Sequence, residues 1–139
     1  MVNEFFLPMI IPTVTQQEHK VMVRSGKPVI YDPPELKEAR KKYTAALWPH
    51  RPVEMMTGPI RLTTKWIWPS EDPGQQVIPG ATGYSWKTTK PDTDNLIKAF
   101  KDCMTRCGFW RDDAQVASEI TEKFYGTYPG IYVRVEELT

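Results

Sequence analysis

The sequence predicts an α+β fold: a single compact domain, residues 1–139, with a mixed β-sheet packed by two main helices. Short apolar runs that end near proline or glycine predict the strands, and two longer segments with helix signals predict the helices. The composition, 40% apolar and 25% charged, is typical of a globular protein. A chain of 139 residues is close to the usual size of one domain.

Strands are predicted in the first part of the chain. The apolar run Phe5–Ile11 is followed by a proline and is typical of a strand. Two further extended runs, Lys20–Arg24 and Pro28–Tyr31, flank a connection that contains a glycine. This arrangement favours a β-hairpin whose arms carry basic side chains.

A helix, a strand and a long loop are expected next. Asp32 precedes two prolines and is typical of a helix start, so we expect a helix from there to about Trp48. Pro59–Trp68 shows the alternation of a strand with basic side chains on one face. The proline- and glycine-rich stretch 69–85 predicts an exposed and mobile loop, and Trp86–Lys90 an extended segment after it.

The clearest pattern lies between Thr93 and Arg106. Its apolar residues fall within an arc of roughly 120° when about 100° is allowed per residue, which predicts an amphipathic helix. Gly108 stands at the usual position for a helix end. Gln115–Tyr125 and Ile131–Leu138 then predict two final strands.

Several classes of protein are disfavoured. No apolar run approaches the roughly 20 residues that span a bilayer, and the first residues lack the features of a signal peptide, so we expect a cytoplasmic protein. The two cysteines, Cys103 and Cys107, lie four residues apart on the apolar side of the predicted helix. We therefore expect reduced thiols in the core rather than a disulfide scaffold.

Charge is distributed unevenly along the chain. The net charge is only +1, but residues 20–65 carry ten basic and four acidic residues, whereas residues 92–139 carry six basic and nine acidic residues. A basic region and an acidic region suit a protein that grips phosphates with one part and holds a metal ion with the other. Two solvated faces of opposite charge would explain the same distribution.

Four aspartates flank the second predicted helix. Asp92 and Asp94 stand at its start, and Asp112 and Asp113 follow it just before a strand. If that strand lies beside the segment ending at Lys90, all four carboxylates would converge into a site for Mg²⁺, which prefers oxygen ligands. The alternative is ordinary helix capping and turn formation, which needs no metal.

Lys98 stands four residues after Asp94 on the same helical face. Its ammonium group is suited either to an ion pair with Asp94 or to a contact with a phosphate during phosphoryl transfer, and the spacing does not separate the two. No histidine is placed to act as a general base. Water activated by a metal ion is therefore the expected nucleophile.

The segment Lys90–Asp102, followed by Gly108–Val116, closely resembles the signature of the RusA family of Holliday junction resolvases. The resemblance implies a RusA-like fold, a homodimer and a site that binds Mg²⁺, with Mn²⁺ as a possible substitute. The ligands that it implies are Asp92, Asp94 and Asp113. Lys98 would be needed for cleavage, and Asp112 and Asn95 would support the site from outside the ligand shell.

The function that this resemblance implies is the resolution of Holliday junctions by symmetric nicking of two strands. Candidate contacts with DNA phosphates are Lys20, Arg24, Lys27, Lys87 and Lys90. The loop at 69–85 is longer than the corresponding connection in the relatives, which leaves its role and the selectivity for junctions open. Two alternatives remain: a less selective nuclease for branched or flapped DNA, and a catalytically silent DNA-binding module of the same fold.

Overall fold

The computed structural model of the protein describes residues 1–12, 20–24, 27–31, 34–70 and 84–139. The strands are β1 (Val2–Pro8), β2 (Lys20–Arg24), β3 (Lys27–Tyr31), β4 (Ile60–Pro69), β5 (Tyr84–Trp86), β6 (Val116–Gly126) and β7 (Gly130–Glu137), and the helices are α1 (Pro34–Leu47) and α2 (Thr93–Cys107). The predicted α+β class, with a mixed sheet and two main helices, is confirmed. Neither helix of these described segments is long and apolar enough to cross a membrane.

Five strands form the main sheet in the order β1-β7-β4-β6-β5. The β4–β6 pair is parallel, because α2 crosses over between these two strands, and the other neighbouring pairs are antiparallel. β2 and β3 form a separate antiparallel pair, as the predicted hairpin requires. The crossover between the two strands of the parallel pair contains Asp92 and Asp94.

The core lies between the main sheet and the two helices. Alternate residues of β4, among them Leu62 and Trp66, are fully buried toward the helices. Tyr43 of α1 and Phe100 of α2 meet edge to face, with ring centroids 5.3 Å apart, and both contact Trp66 in the same way. The helices are therefore fixed to the middle of the sheet by one aromatic cluster.

Some predicted boundaries are corrected. β1 covers Val2–Pro8 instead of Phe5–Ile11, because pairing with β7 from Val2 to Pro8 decides where the strand lies. Ile11 is 2% exposed but lies beyond the strand, so its apolar character reflects burial and not strand structure. Pro69 belongs to β4, and Tyr84 and Ser85 belong to β5, so those residues are not part of the loop predicted at 69–85.

Other predictions fall partly on residues that the structure does not describe. The proposed helix cap Asp32 and residues 71–83 of the predicted loop lie outside the described residues. α1 is described from Pro34, and its last residue is Leu47, followed by a short 3-10 helix at Trp48–His50. Of the predicted extended segment at 86–90, only Trp86 lies in a strand.

Two glycines allow turns that other residues would strain. Gly108 ends α2 with a φ of 87°, the left-handed conformation expected of a glycine at a helix C-terminus. Gly130 begins β7 with a φ of 153°, and a Cβ atom there would lie 2.3 Å from the carbonyl oxygen of Leu7. Glycine at position 130 therefore lets β1 pair closely with β7.

The two thiols are expected to resist modification in the folded protein. Cys103 and Cys107 are buried at 0% and 5% exposure, as predicted, and burial raises the pKa of both thiols. A raised pKa leaves less of the reactive thiolate at a given pH. Treatment with iodoacetamide at pH 8 should leave both unmodified in native buffer and alkylate both in guanidinium chloride, as measured by intact mass. Equal rates in the two buffers would contradict the burial.

Candidate active site

Asp92 and Asp94 present exposed carboxylates at the start of α2. Asp92 is the N-cap residue, with φ −71° and ψ 150°, and its carbonyl oxygen accepts the first helical bond from the N–H of Leu96 at 3.2 Å. Its side chain makes no capping hydrogen bond. The capping alternative therefore does not account for the carboxylate of Asp92, which forms no ion pair with any residue that the structure describes.

A cleft of about 380 Å³ opens beside Asp94. Its lining residues are Asp94, Asn95, Ile97, Lys98, Lys101 and Glu119. Lys101 and Glu119 pair with each other at 2.9 Å across the gap between α2 and β6. In the described part of the chain Lys98 makes no ion pair with Asp94, so both charged groups are available to the cleft.

Asp112 has a local structural task. It caps the short 3-10 helix Asp113–Gln115 by accepting a hydrogen bond from the N–H of Ala114 at 2.9 Å. The side chain of Gln115 accepts in return from the N–H of Asp112 at 3.0 Å, which completes a capping box. For Asp112 the capping alternative describes the geometry, and its supporting role at a metal site remains a prediction.

Asp113 is held at the C-terminal end of α2. The hydroxyl of Thr105 donates to its Oδ1, and the indole N–H of Trp110 lies 3.2 Å from the same oxygen. The same N–H donates to the hydroxyl oxygen of Thr105 at 2.7 Å. Because Trp110 is fully buried, this network gives the half-buried carboxylate one fixed orientation.

The expected convergence of the four aspartates does not occur within one chain. Asp94 lies in the first turn of α2, whereas Asp113 contacts Thr105 near the other end, eleven residues further along. A rise of about 1.5 Å per residue separates those two positions by roughly 16 Å, which no pair of aspartate side chains can bridge. Among the residues that the structure describes, no three acidic, histidine or cysteine side chains form a group able to hold a metal ion.

Lys123 is a residue at this site that the sequence did not single out. Its ammonium group donates to the carbonyl oxygens of Thr89 and Pro91 at 2.6 and 2.7 Å, directly before Asp92. The alternation of the predicted strand placed Lys123 on the same face as Glu119, which lines the cleft. The register of β6 against its neighbours, which decides what that face meets, is not visible in the sequence.

The predicted phosphate contacts are distributed over two regions. Lys20 and Arg24 lie at the ends of β2, and Lys27 begins β3 opposite Arg24. Lys90 is exposed just before the aspartate motif. The ammonium group of Lys87 instead donates to the hydroxyl groups of Thr89 and Tyr125 at 2.8 and 3.1 Å. Their contacts with DNA remain predictions.

Comparison with known proteins adds a family and two relatives. The sequence matches the family described as "Endodeoxyribonuclease RusA" over residues 11–136. It is 28% identical over 130 residues, 91% of each chain, to "Uncharacterized protein YqaN" of Bacillus subtilis strain 168. It is also 28% identical over 110 residues, 76% of this chain and 75% of the other, to "Crossover junction endodeoxyribonuclease rusA" of Lactococcus phage r1t. The family match includes every residue of the site.

Proposed function

Because the chain belongs to the RusA family of endodeoxyribonucleases, we propose that it is a metal-dependent endonuclease that nicks branched DNA, with the four-way junction as its preferred substrate. Family membership supports the substrate class and the type of bond that is cut. The proposal for this chain depends on what its own residues present at the start of α2.

One observation carries the proposal: Asp92 and Asp94 leave their carboxylates exposed at the start of α2, and neither forms an ion pair with the described residues. Asp94 also lines a cleft that contains Lys98. Like charges held close together are unfavourable unless a cation or a basic group compensates them. Because the side chain of Asp92 makes no capping hydrogen bond, only the helix dipole favours its carboxylate within the chain, and a bound cation would compensate the charge that it shares with Asp94.

The donor atoms of Asp92 and Asp94 fit a hard divalent cation, which takes carboxylate oxygens and keeps several waters. Such an ion, Mg²⁺ or Mn²⁺, would activate water and neutralise charge on the phosphoryl group. The protein would add two things of its own. Lys98 would donate to a phosphate oxygen, and the first backbone N–H groups of α2 would provide the positive end of a helix dipole for the DNA strand.

The position of Asp113 requires a second copy of the chain if this carboxylate is a ligand of the same ion. A two-fold pair with antiparallel α2 helices would place the start of one helix beside the end of the other. Asp113 of one copy, already oriented by Thr105 and Trp110, would then face Asp92 and Asp94 of its partner. This arrangement reconciles the implied homodimer and the implied ligands with the roughly 16 Å separation along one helix.

A cleavage assay tests the proposed function. Incubation of the protein with a synthetic four-way junction and Mg²⁺ should yield paired nicks, whereas EDTA should stop the reaction and excess Mg²⁺ should restore it. Duplex, forked and flapped DNA are the control substrates. Cleavage that continues in EDTA would contradict the metal-dependent mechanism.

The same substrates separate the alternatives. Equal rates on junctions, forks and flaps would indicate a less selective nuclease for branched DNA. Tight junction binding without product in either Mg²⁺ or Mn²⁺ would indicate a DNA-binding module that has kept the fold. In every case DNA binding should weaken as the salt concentration rises, because each contact with a DNA phosphate releases counterions from the DNA.

A further inference from the structure

We propose that Lys123 is a positioning residue for DNA cleavage: its ammonium group holds the segment that presents Asp92 to the metal ion. The inference rests on the proposed function, because Asp92 matters here only as a ligand. It extends that function by a residue of β6, an element that carries none of the aspartates.

The contacts of Lys123 converge on one short segment. Its side chain reaches the carbonyl oxygens of Thr89 and Pro91, and its own carbonyl oxygen accepts from the N–H of Lys87 at 3.0 Å. The residues between β5 and α2 are thus attached to β6 from both the backbone and the side chain of one residue. Two of the three ammonium donors are committed to this segment.

The ammonium charge makes these contacts stronger than ordinary hydrogen bonds. Hydrogen bonds with an ionised partner are shorter and about twice as strong as those between neutral groups. In the described part of the chain no carboxylate forms an ion pair with Lys123, so its charge acts on the two carbonyl oxygens. The ammonium charge of Lys123 therefore strengthens the attachment of this segment to β6.

The held segment ends at the carboxylate that is proposed to bind the ion. Pro91 immediately precedes Asp92, and the helix that follows starts with the carbonyl oxygen of Asp92 itself. Fixing the Pro91 carbonyl fixes the backbone from which the side chain of Asp92 projects. Residues that support metal ligands in this way typically contribute 10–100-fold, as an order of magnitude, to metal affinity or activity.

Two variants of Lys123 and a matched control test the inference. Lys123→Met removes the charge and the donors, and Lys123→Gln keeps an amide that can still bind one carbonyl. The control Lys65→Met makes the same change at an exposed lysine of β4, on the other face of the sheet. Thermal unfolding of each variant shows whether it is folded. If Lys123→Met does not fold, Lys123→Gln is the variant that tests the inference.

Mn²⁺ binding by electron paramagnetic resonance is the main measurement, with the Mg²⁺ concentration for half-maximal junction cleavage as the second. We expect both Lys123 variants to bind Mn²⁺ about 10–100-fold more weakly than the wild type, and Lys65→Met to bind it normally. Lys123 variants that bind within threefold of the wild type, or an equal loss in Lys65→Met, would overturn the inference. A wild-type protein that cuts no DNA would instead refute the proposed function.

Discussion

Replacing Asp94 with asparagine is expected to slow cleavage of a four-way junction by at least about a hundredfold, while the protein still folds and binds the junction. A carboxylate that holds a catalytic cation contributes several kcal/mol to transition-state stabilisation, and about 1.4 kcal/mol corresponds to a tenfold change in rate. The expected loss is therefore on the order of 10²–10³-fold or more in single-turnover cleavage. Asparagine has nearly the same shape, and Asp94 is exposed, so the fold should be unaffected.

A matched control is available on the same helix. Asp102 is a partly exposed carboxylate of α2 that pairs with Arg40 and Arg106 and lies away from the cleft. Asp102→Asn makes the same chemical change and should cleave within a few-fold of the wild type, since a surface ion pair contributes about 0–1 kcal/mol. Equal losses of cleavage rate in the two variants would mean that cleavage depends on the negative charge of the helix and not on a metal ligand at Asp94.

Mixed dimers test whether two copies share each site. Asp94→Asn and Asp113→Asn chains with different affinity tags are co-expressed, and the dimer that carries both tags is isolated. If Asp113 serves its partner's Asp92 and Asp94, this dimer has one intact site and one doubly defective site. It should nick one strand, giving open-circular product from a plasmid with an extruded cruciform. If each site belongs to one chain, the mixed dimer should be as inactive as the two homodimers.

The second large effect concerns stability. Trp66 is completely buried in the middle of the sheet, and Tyr43 and Phe100 contact it edge to face at centroid distances of 6.0 and 5.2 Å. Its indole N–H also satisfies the buried hydroxyl of Thr64 at 2.8 Å. Trp66→Ala removes these contacts and leaves a cavity, so we expect the free energy of unfolding to fall by about 3–5 kcal/mol.

Urea denaturation followed by circular dichroism measures this change without depending on tryptophan fluorescence. Trp86→Ala is the control, because Trp86 is 54% exposed and stacks on Phe124 at the sheet surface. The Trp86→Ala replacement should lower the free energy of unfolding by about 1 kcal/mol or less. A loss for Trp66→Ala no larger than that of the control would show that the aromatic cluster does not hold the helices to the sheet.

α2 was the element best predicted from the sequence, and the reason is local. Its apolar periodicity and Gly108 define the helix without reference to any other part of the chain, and the observed end is one residue from the expected one. The predicted range of β1 was wrong because pairing with a partner strand decides where a strand begins and ends. The apolar run included Ile11, which is buried outside the strand, so hydrophobicity alone gave the wrong boundary.

The sequence identified the four aspartates from their positions around α2. It did not predict the distance between the pair at the start of this helix and the pair that follows it. The prediction assumed that the chain has returned to the start of the helix by Asp112. In the structure the connection after Gly108 stays at the far end of α2, and β6 makes the return. The residue of β6 that contacts the backbone directly before Asp92 is consequently Lys123, which donates to the carbonyl oxygen of Pro91. The register between distant strands decides which residue of β6 lies beside this segment, and that register cannot be deduced from a single sequence.

The place of β7 in the sheet has a consequence for how the protein is made. This strand comes after all the other described strands in the sequence, yet it lies between β1 and β4 and pairs with both. During synthesis β1 therefore leaves the ribosome long before its only described neighbour exists. The sheet cannot close until β7 has been synthesised and can insert between β1 and β4. A truncation before Gly130 should yield an aggregation-prone chain with two unpaired strand edges.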